Sequence, residues 1–136
     1  MKPTLHHNFP KDVVLKEFIS ADLGTIYFYD NIVVTEMNEG VSVSFKTGAS
    51  LLSKCLKIVE LKPFVIISNR INSYSLNPND YKYLSKIPSL KGICIVADRE
   101  EARENAKLEA IFFKKPIAIF ETMEMAYSWS QNILQN

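Results

Sequence analysis

The chain has 136 residues, 47% hydrophobic and 23% charged, which suits one domain with a buried core and excludes a disordered or collagen-like chain. Sixteen Lys and Arg against fifteen Asp and Glu leave a formal charge of +1, so no bulk electrostatic attraction favours nucleic acid or a membrane surface. The longest apolar runs, Phe64 to Ile67 and Ile93 to Ala97, fall far short of the roughly 20 residues of a membrane span, and His6, His7, Asn8 and Lys11 interrupt any secretory hydrophobic stretch, so the expected address is the cytoplasm.

Residues 1–11 carry two prolines and adjacent histidines without periodicity and read as a flexible leader, frayed or laid across the surface of a single domain over 12–136. Val13 to Ile19 is rich in strand formers. Thr25 to Glu36 reads as an antiparallel hairpin, because Asp30-Asn31 is a two-residue link whose members both tolerate positive φ. Gly40 and the alternating Val41, Val43 and Phe45 are either a strand or the entrance to a helix. That helix places Leu52, Cys55, Leu56 and Val59 on one inward face.

After Pro63 the rhythm changes. Phe64 to Ile67, Ile93 to Ala97 and Ile117 to Phe120 are continuous apolar runs, the pattern of parallel strands covered on both faces. The helices between them carry start signals: Asn77 with Pro78, a capping box at Asp98 to Glu101, and Thr122. Ala102, Ala106, Ala110 and Phe113 form one inward ridge, and Ala126, Trp129 and Ile133 another. The fold class is therefore α/β, a mixed sheet with an N-terminal antiparallel hairpin and parallel strands covered by helices. Cys55 and Cys94 sit in apolar patterns as free core thiols, in keeping with a reducing compartment.

The supply of catalytic groups is thin. His6 and His7 read as surface histidines, and with neither HExxH nor CxxC no metal site is expected. Gly24, Gly40, Gly48 and Gly92 are scattered, so no phosphate-cradling loop can be built and no cofactor is expected. Lys115-Pro116 superficially resembles the Lys-Pro of receiver domains, but Ser68-Asn69-Arg70 stands where their phosphoacceptor aspartate would be, and Lys115 reads as a solvated strand-start residue. Glu100 with Arg103 and Glu104 with Lys107 form i, i+3 pairs that account for the charge run on the third helix. Trp129 and the pair Phe112-Phe113 are expected in the core.

The most unusual segment follows the Phe64 strand, at the carboxyl end where open α/β sheets bind ligands and partners. Asn69, Arg70, Asn72, Ser73, Tyr74 and Ser75 are the candidate binding residues: Arg70 offers a planar fork for carboxylate or phosphate, the Asn amides donate and accept, and Tyr74 adds area. The same Asn and Ser residues also suit helix caps and turns, so a purely local role stands beside the functional one.

The order of hairpin, helix and alternating strands and helices, ending in Pro116-Ile117-Ala118-Ile119-Phe120 and a helix with Ala126 and Trp129, resembles the small stand-alone bacterial STAS-like proteins of the SpoIIAA-like group. The resemblance covers roughly residues 24–134. It implies a non-enzymatic regulatory or interaction domain that binds a protein partner through the loop after the central strand. By position it marks Ser73 and Ser75 for phosphorylation, although the family's Asp-Ser-x-Gly signature is absent. The alternative is a carrier of a small molecule or lipid, with an apolar pocket between the hairpin and the helices and Arg70 holding an anionic head group. A homodimer is compatible with either reading.

Overall fold

A computed structural model of the chain describes residues 7–135. His6 and the rest of the stretch 1–6 of the expected leader lie outside the described residues. Strand β1 (Glu17–Ser20) pairs antiparallel with β2 (Gly24–Tyr29), and β2 antiparallel with β3 (Ile32–Met37). The hairpin thus stands where the alternation and the two-residue link put it, although only Asp30 of that link takes a positive φ, 54°. The strand expected over Val13 to Ile19 begins later, because Val13 and Leu15 pack on the sheet face instead of joining its edge ladder.

The ambiguity over Val41 to Phe45 is resolved by a split. Ser42–Val43 forms a two-residue strand, β4; Ser44 is the N-cap; Phe45 opens helix α1 (Phe45–Val59). The Ser44 hydroxyl accepts from the Thr47 amide at 3.2 Å and the Thr47 hydroxyl accepts from the Ser44 amide at 2.9 Å, a reciprocal cap that satisfies two otherwise orphaned donors. Cys55 and Val59 are buried on the inward face predicted for the helix, which stops at Glu60 in the left-handed region.

Next come β5 (Phe64–Asn69), the two-residue β6 (Ser75–Leu76), a 3-10 turn (Pro78–Asp80), α2 (Tyr81–Ser85) and β7 (Leu90–Val96). Helix α3 (Glu100–Ala110), β8 (Ile117–Phe120) and α4 (Met123–Gln135) complete the fold. The main sheet has the order β1-β2-β3-β5-β7-β8, antiparallel up to β3 and parallel beyond it, while β4 and β6 pair in parallel by themselves. Because the parallel strands advance in one direction, right-handed crossovers put their helices on one face. One core layer accordingly joins Val33, Ile93 and Ile95 to Cys55, Tyr81 and Ala106. The opposite layer joins Val34, Ile67 and Cys94 to Met123, Ala126 and Trp129 of α4.

Several sequence expectations change here. β8 is an edge strand, and all four of its residues are only half-buried. Arg99 occupies the N-cap of α3 and makes no side-chain cap, so the box expected at Asp98 does not form. Arg103 turns to the Ala97 carbonyl oxygen at 2.8 Å rather than to Glu100, whereas Lys107 does pair with Glu104 at 2.9 Å. Phe113 is buried, but Phe112 points outward from the end of α3 and is 41% exposed. Trp129 is half-buried, its ring 2.9 Å from where a Cβ on Gly92 would stand. Lys115 is half-buried rather than fully solvated: its ammonium donates to the Ile87 and Leu90 carbonyl oxygens, and burial followed by the charge of Lys91 holds its pKa below the ordinary lysine value.

Candidate functional site

Successive residues of a strand face opposite sides of the sheet, so the polar residues ending β5 are divided between its two layers. Asn69 points to the α4 side. There its amide donates to Glu36 Oε2 at 2.8 Å, and His7 Nε2 lies 2.8 Å from the same oxygen. His7 Nδ1 is 2.6 Å from the Tyr29 hydroxyl, which donates to it when the imidazole is neutral with its proton on Nε2. The surface expected of the histidines is therefore wrong for His7, which is 2% exposed and packs edge-on against Tyr27 and Tyr29. A buried imidazole needs partners for both nitrogens, and Tyr29 and Glu36 supply them. Phe9 follows with ring contacts to Tyr29 and Tyr127, so residues 7–9 lie against the domain.

Ser68 and Arg70 serve the other face. Arg70 Nη1 and Nη2 donate to the two carboxylate oxygens of Glu109 at 3.0 and 2.7 Å, its Nε donates to Ser68 Oγ at 2.7 Å, and its guanidinium lies 5.3 Å from the centre of the Tyr74 ring. The Tyr81 hydroxyl donates to Glu109 Oε1 at 2.9 Å. The Arg70 and Glu109 side chains are only 13% and 12% exposed. Burial alone would lower the Arg70 pKa, but the Glu109 hydrogen bonds and the surrounding negative groups outweigh it and hold the guanidinium firmly protonated. Burial, then the Glu109 charge, drives the Tyr81 phenol well above its ordinary value.

The remaining loop residues diverge. Asn72 donates to the Met37 carbonyl oxygen at 3.0 Å; Ser73 and Ser75 are exposed, and the Ser73 hydroxyl lies 3.4 Å from Arg99 Nη2. Tyr74 turns inward beside Ser68, hydroxyl to hydroxyl at 3.3 Å. The six predicted binding residues thus form no single outward patch, and the donors of Asn69, Arg70 and Asn72 are engaged within the fold.

Above the Arg70 cluster lies a cavity of about 190 Å³ between the sheet and α1. Ile26, Val33, Ile66 and Ile93 form its floor and Gly48, Leu52 and Cys55 of α1 its roof, with Thr35, Ser68, Arg70 and Tyr74 at one end. Thr35 and Ser68 are register neighbours across β3 and β5, which concentrates the hydroxyls there. Burial pushes the Cys55 thiol up to about 12, so it is an uncharged lining group. No family model, curated protein or solved structure matches the chain. Among the described residues, no group of three or more His, Cys, Asp and Glu could hold a metal ion, and no helix is long and apolar enough to cross a membrane.

Residue-type scanning missed Glu109, Tyr81, Glu36 and His7 as site-builders. A signal existed for two of them: Glu109 flanks the alanine ridge of α3, three residues after Ala106 and four before Phe113, and Glu36 continues the inward alternation of Ile32 and Val34. A carboxylate on an apolar face requires a partner.

The buried phenols give these clusters a measurable pH dependence. Burial comes first among the causes for all four: the Tyr29 pKa is pushed up to about 12, and those of Tyr27, Tyr74 and Tyr81 are also raised. Unfolded tyrosine ionises near pH 10, so the stability these groups contribute is complete below about pH 10 and is lost as pH rises through the folded values. Tyrosinate absorbance from these four should therefore appear together with loss of near-ultraviolet circular dichroism. Their ionisation near pH 10 with the fold intact would contradict the buried arrangement.

Proposed function

We propose that this protein is a non-enzymatic binding domain that carries a small, largely apolar molecule in the cavity between the sheet and α1. The observation that carries the proposal is the cavity itself: it is apolar over most of its lining, has hydroxyl groups at one end, and exceeds the roughly 150 Å³ that suffices for a benzene-sized guest in a protein interior. Its polar end lies at the carboxyl end of the parallel strands, the usual ligand side of an open α/β sheet. The alternative of a partner protein at the 69–75 loop has weaker support, because the groups suited to recognition are bonded internally. The strand and helix order supports grouping the chain with STAS-like proteins, and the two buried, unpaired cysteines support a reducing, cytoplasmic address.

Gly48 provides the test. A Cβ there would meet nothing within 4 Å, so a leucine side chain can enter the cavity from α1. In an NMR titration with 1-hexanol, the amide signals of Cys55 and Ser68 should move in the wild type and remain still in Gly48→Leu. Replacing a helix glycine should also stabilise that variant by about 0.8 kcal/mol. Shifts scattered over the surface, or unchanged by the substitution, would refute the cavity as the binding site.

A further inference from the structure

Resting on that reading, we infer that the cavity selects electrically neutral ligands, an apolar body ending in a single hydroxyl or carbonyl, and rejects the carboxylate and ammonium of the same carbon chain. The charged residues of the lining are Arg70 and Asp80. Arg70 is the group an anionic head would need, but both carboxylate oxygens of Glu109 already hold its fork and Ser68 holds its Nε. Glu109 stands behind Arg70, outside the lining, so the cavity receives the guanidinium with its charge compensated. An entering carboxylate must displace Glu109 and leave it buried without its partner, or be buried beside a neutralised pair; either is costly.

The N-terminus of α1, the other feature at the rim that attracts anions, is occupied as well. Asp80 Oδ2 accepts from the Phe45 amide at 2.7 Å and Ser44 Oγ accepts from the Thr47 amide at 3.2 Å, so two of the free N–H groups are capped and a negative charge already faces the helix end. Asp80 adds repulsion for a second anion. A cation fares no better at the polar end, because it would leave water where Glu109, already bound to Arg70 and outside the lining, offers it no carboxylate. A hydroxyl fits: Ser68 and Tyr74, with Thr35 adjacent in register, present groups that both donate and accept at no charge cost.

Matched six-carbon probes test this near neutral pH, using the full chain and an NMR or calorimetric titration. 1-Hexanol should bind at least about tenfold more tightly than hexanoate or hexylammonium. If either ion binds as tightly as the alcohol at the same amide signals, the neutral-ligand inference falls while the carrier reading stands. If none of the three moves the lining signals, the carrier reading falls and takes the inference with it. Glu109→Gln provides a second arm, because it removes the compensating charge while keeping a side chain that can meet Arg70 and Tyr81. It should improve hexanoate binding at least about tenfold, and a variant that folds without that gain overturns the assignment of Glu109 as the selector. Should the variant not fold, the comparison of the three probes on the wild type still decides.

Discussion

Replacing Arg70 by alanine should lower the unfolding free energy by about 3 kcal/mol, because removing one partner of a buried ion pair leaves the other buried and uncompensated. Glu109 would keep the Tyr81 hydroxyl but lose both guanidinium bonds, and Ser68 would lose the Nε donor. Glu109→Ala should cost a similar amount from the opposite side, stranding the guanidinium. The double replacement Arg70→Met with Glu109→Leu should cost much less than the sum of the single alanine changes, since well-packed apolar residues often substitute for a buried pair at little net loss. Urea unfolding of the four proteins measures this: the single variants should move the midpoint down with the slope unchanged. A change below about 0.5 kcal/mol for Arg70→Ala would instead mark Arg70 as a surface group, available to an outside carboxylate or phosphate.

Gly24→Ala should be at least as damaging, by about 3 kcal/mol or more, because the added methyl group meets backbone rather than a movable side chain. Its Cβ would stand 2.3 Å from the Glu36 carbonyl oxygen and 2.6 Å from the Met37 Cα, on the strand directly paired with it. Relief requires that end of the hairpin to separate, which disturbs Leu23 at the cavity wall and Glu36 in the His7 cluster. Gly48→Ala is the matched control. It adds the same methyl group into open space on a helix and should stabilise by about 1 kcal/mol, so opposite signs from one chemical change would isolate the close approach at Gly24. Equal effects would show that the β2–β3 contact leaves room for a methyl group at Gly24.

Much of the architecture follows from local rules that the sequence states directly. Alternation from Thr25 to Glu36 with a two-residue link specifies a hairpin; the unbroken runs at Phe64 and Ile93 specify strands covered on both sides; and spacing from Leu52 to Val59 specifies the inward face of α1. Each is a periodicity imposed by backbone geometry, which acts over a few residues and needs no knowledge of distant ones. Cys55 and Cys94 as core thiols and Thr122 as the cap of α4, its hydroxyl accepting from the Met125 amide at 3.3 Å, follow from the same local rules, whereas Asn77 caps the 3-10 turn and α2 has no side-chain cap. The apolar pocket entered only as the alternative reading, with Arg70 holding an anionic head group; the Glu109 carboxylate that already occupies that fork lies 39 positions away and no local rule points to it.

Tertiary structure decided how the polar residues are used. Arg70 and Glu109 are 39 positions apart, and His7 and Glu36 are 29 apart, so no local pattern could pair them. The loop at Asn69 to Ser75 looked like one recognition surface because its residues are adjacent in sequence, but strand alternation sends Asn69 and Arg70 to opposite faces of the sheet. Lys115 is half-buried and Phe112 exposed, against expectation for both, because exposure at a strand start or a helix end depends on which neighbour covers it. Propensity and periodicity determined where the apolar layers lie; only the long-range packing of those layers determined which charges meet, and with that, that the Arg70 beside the cavity is already neutralised.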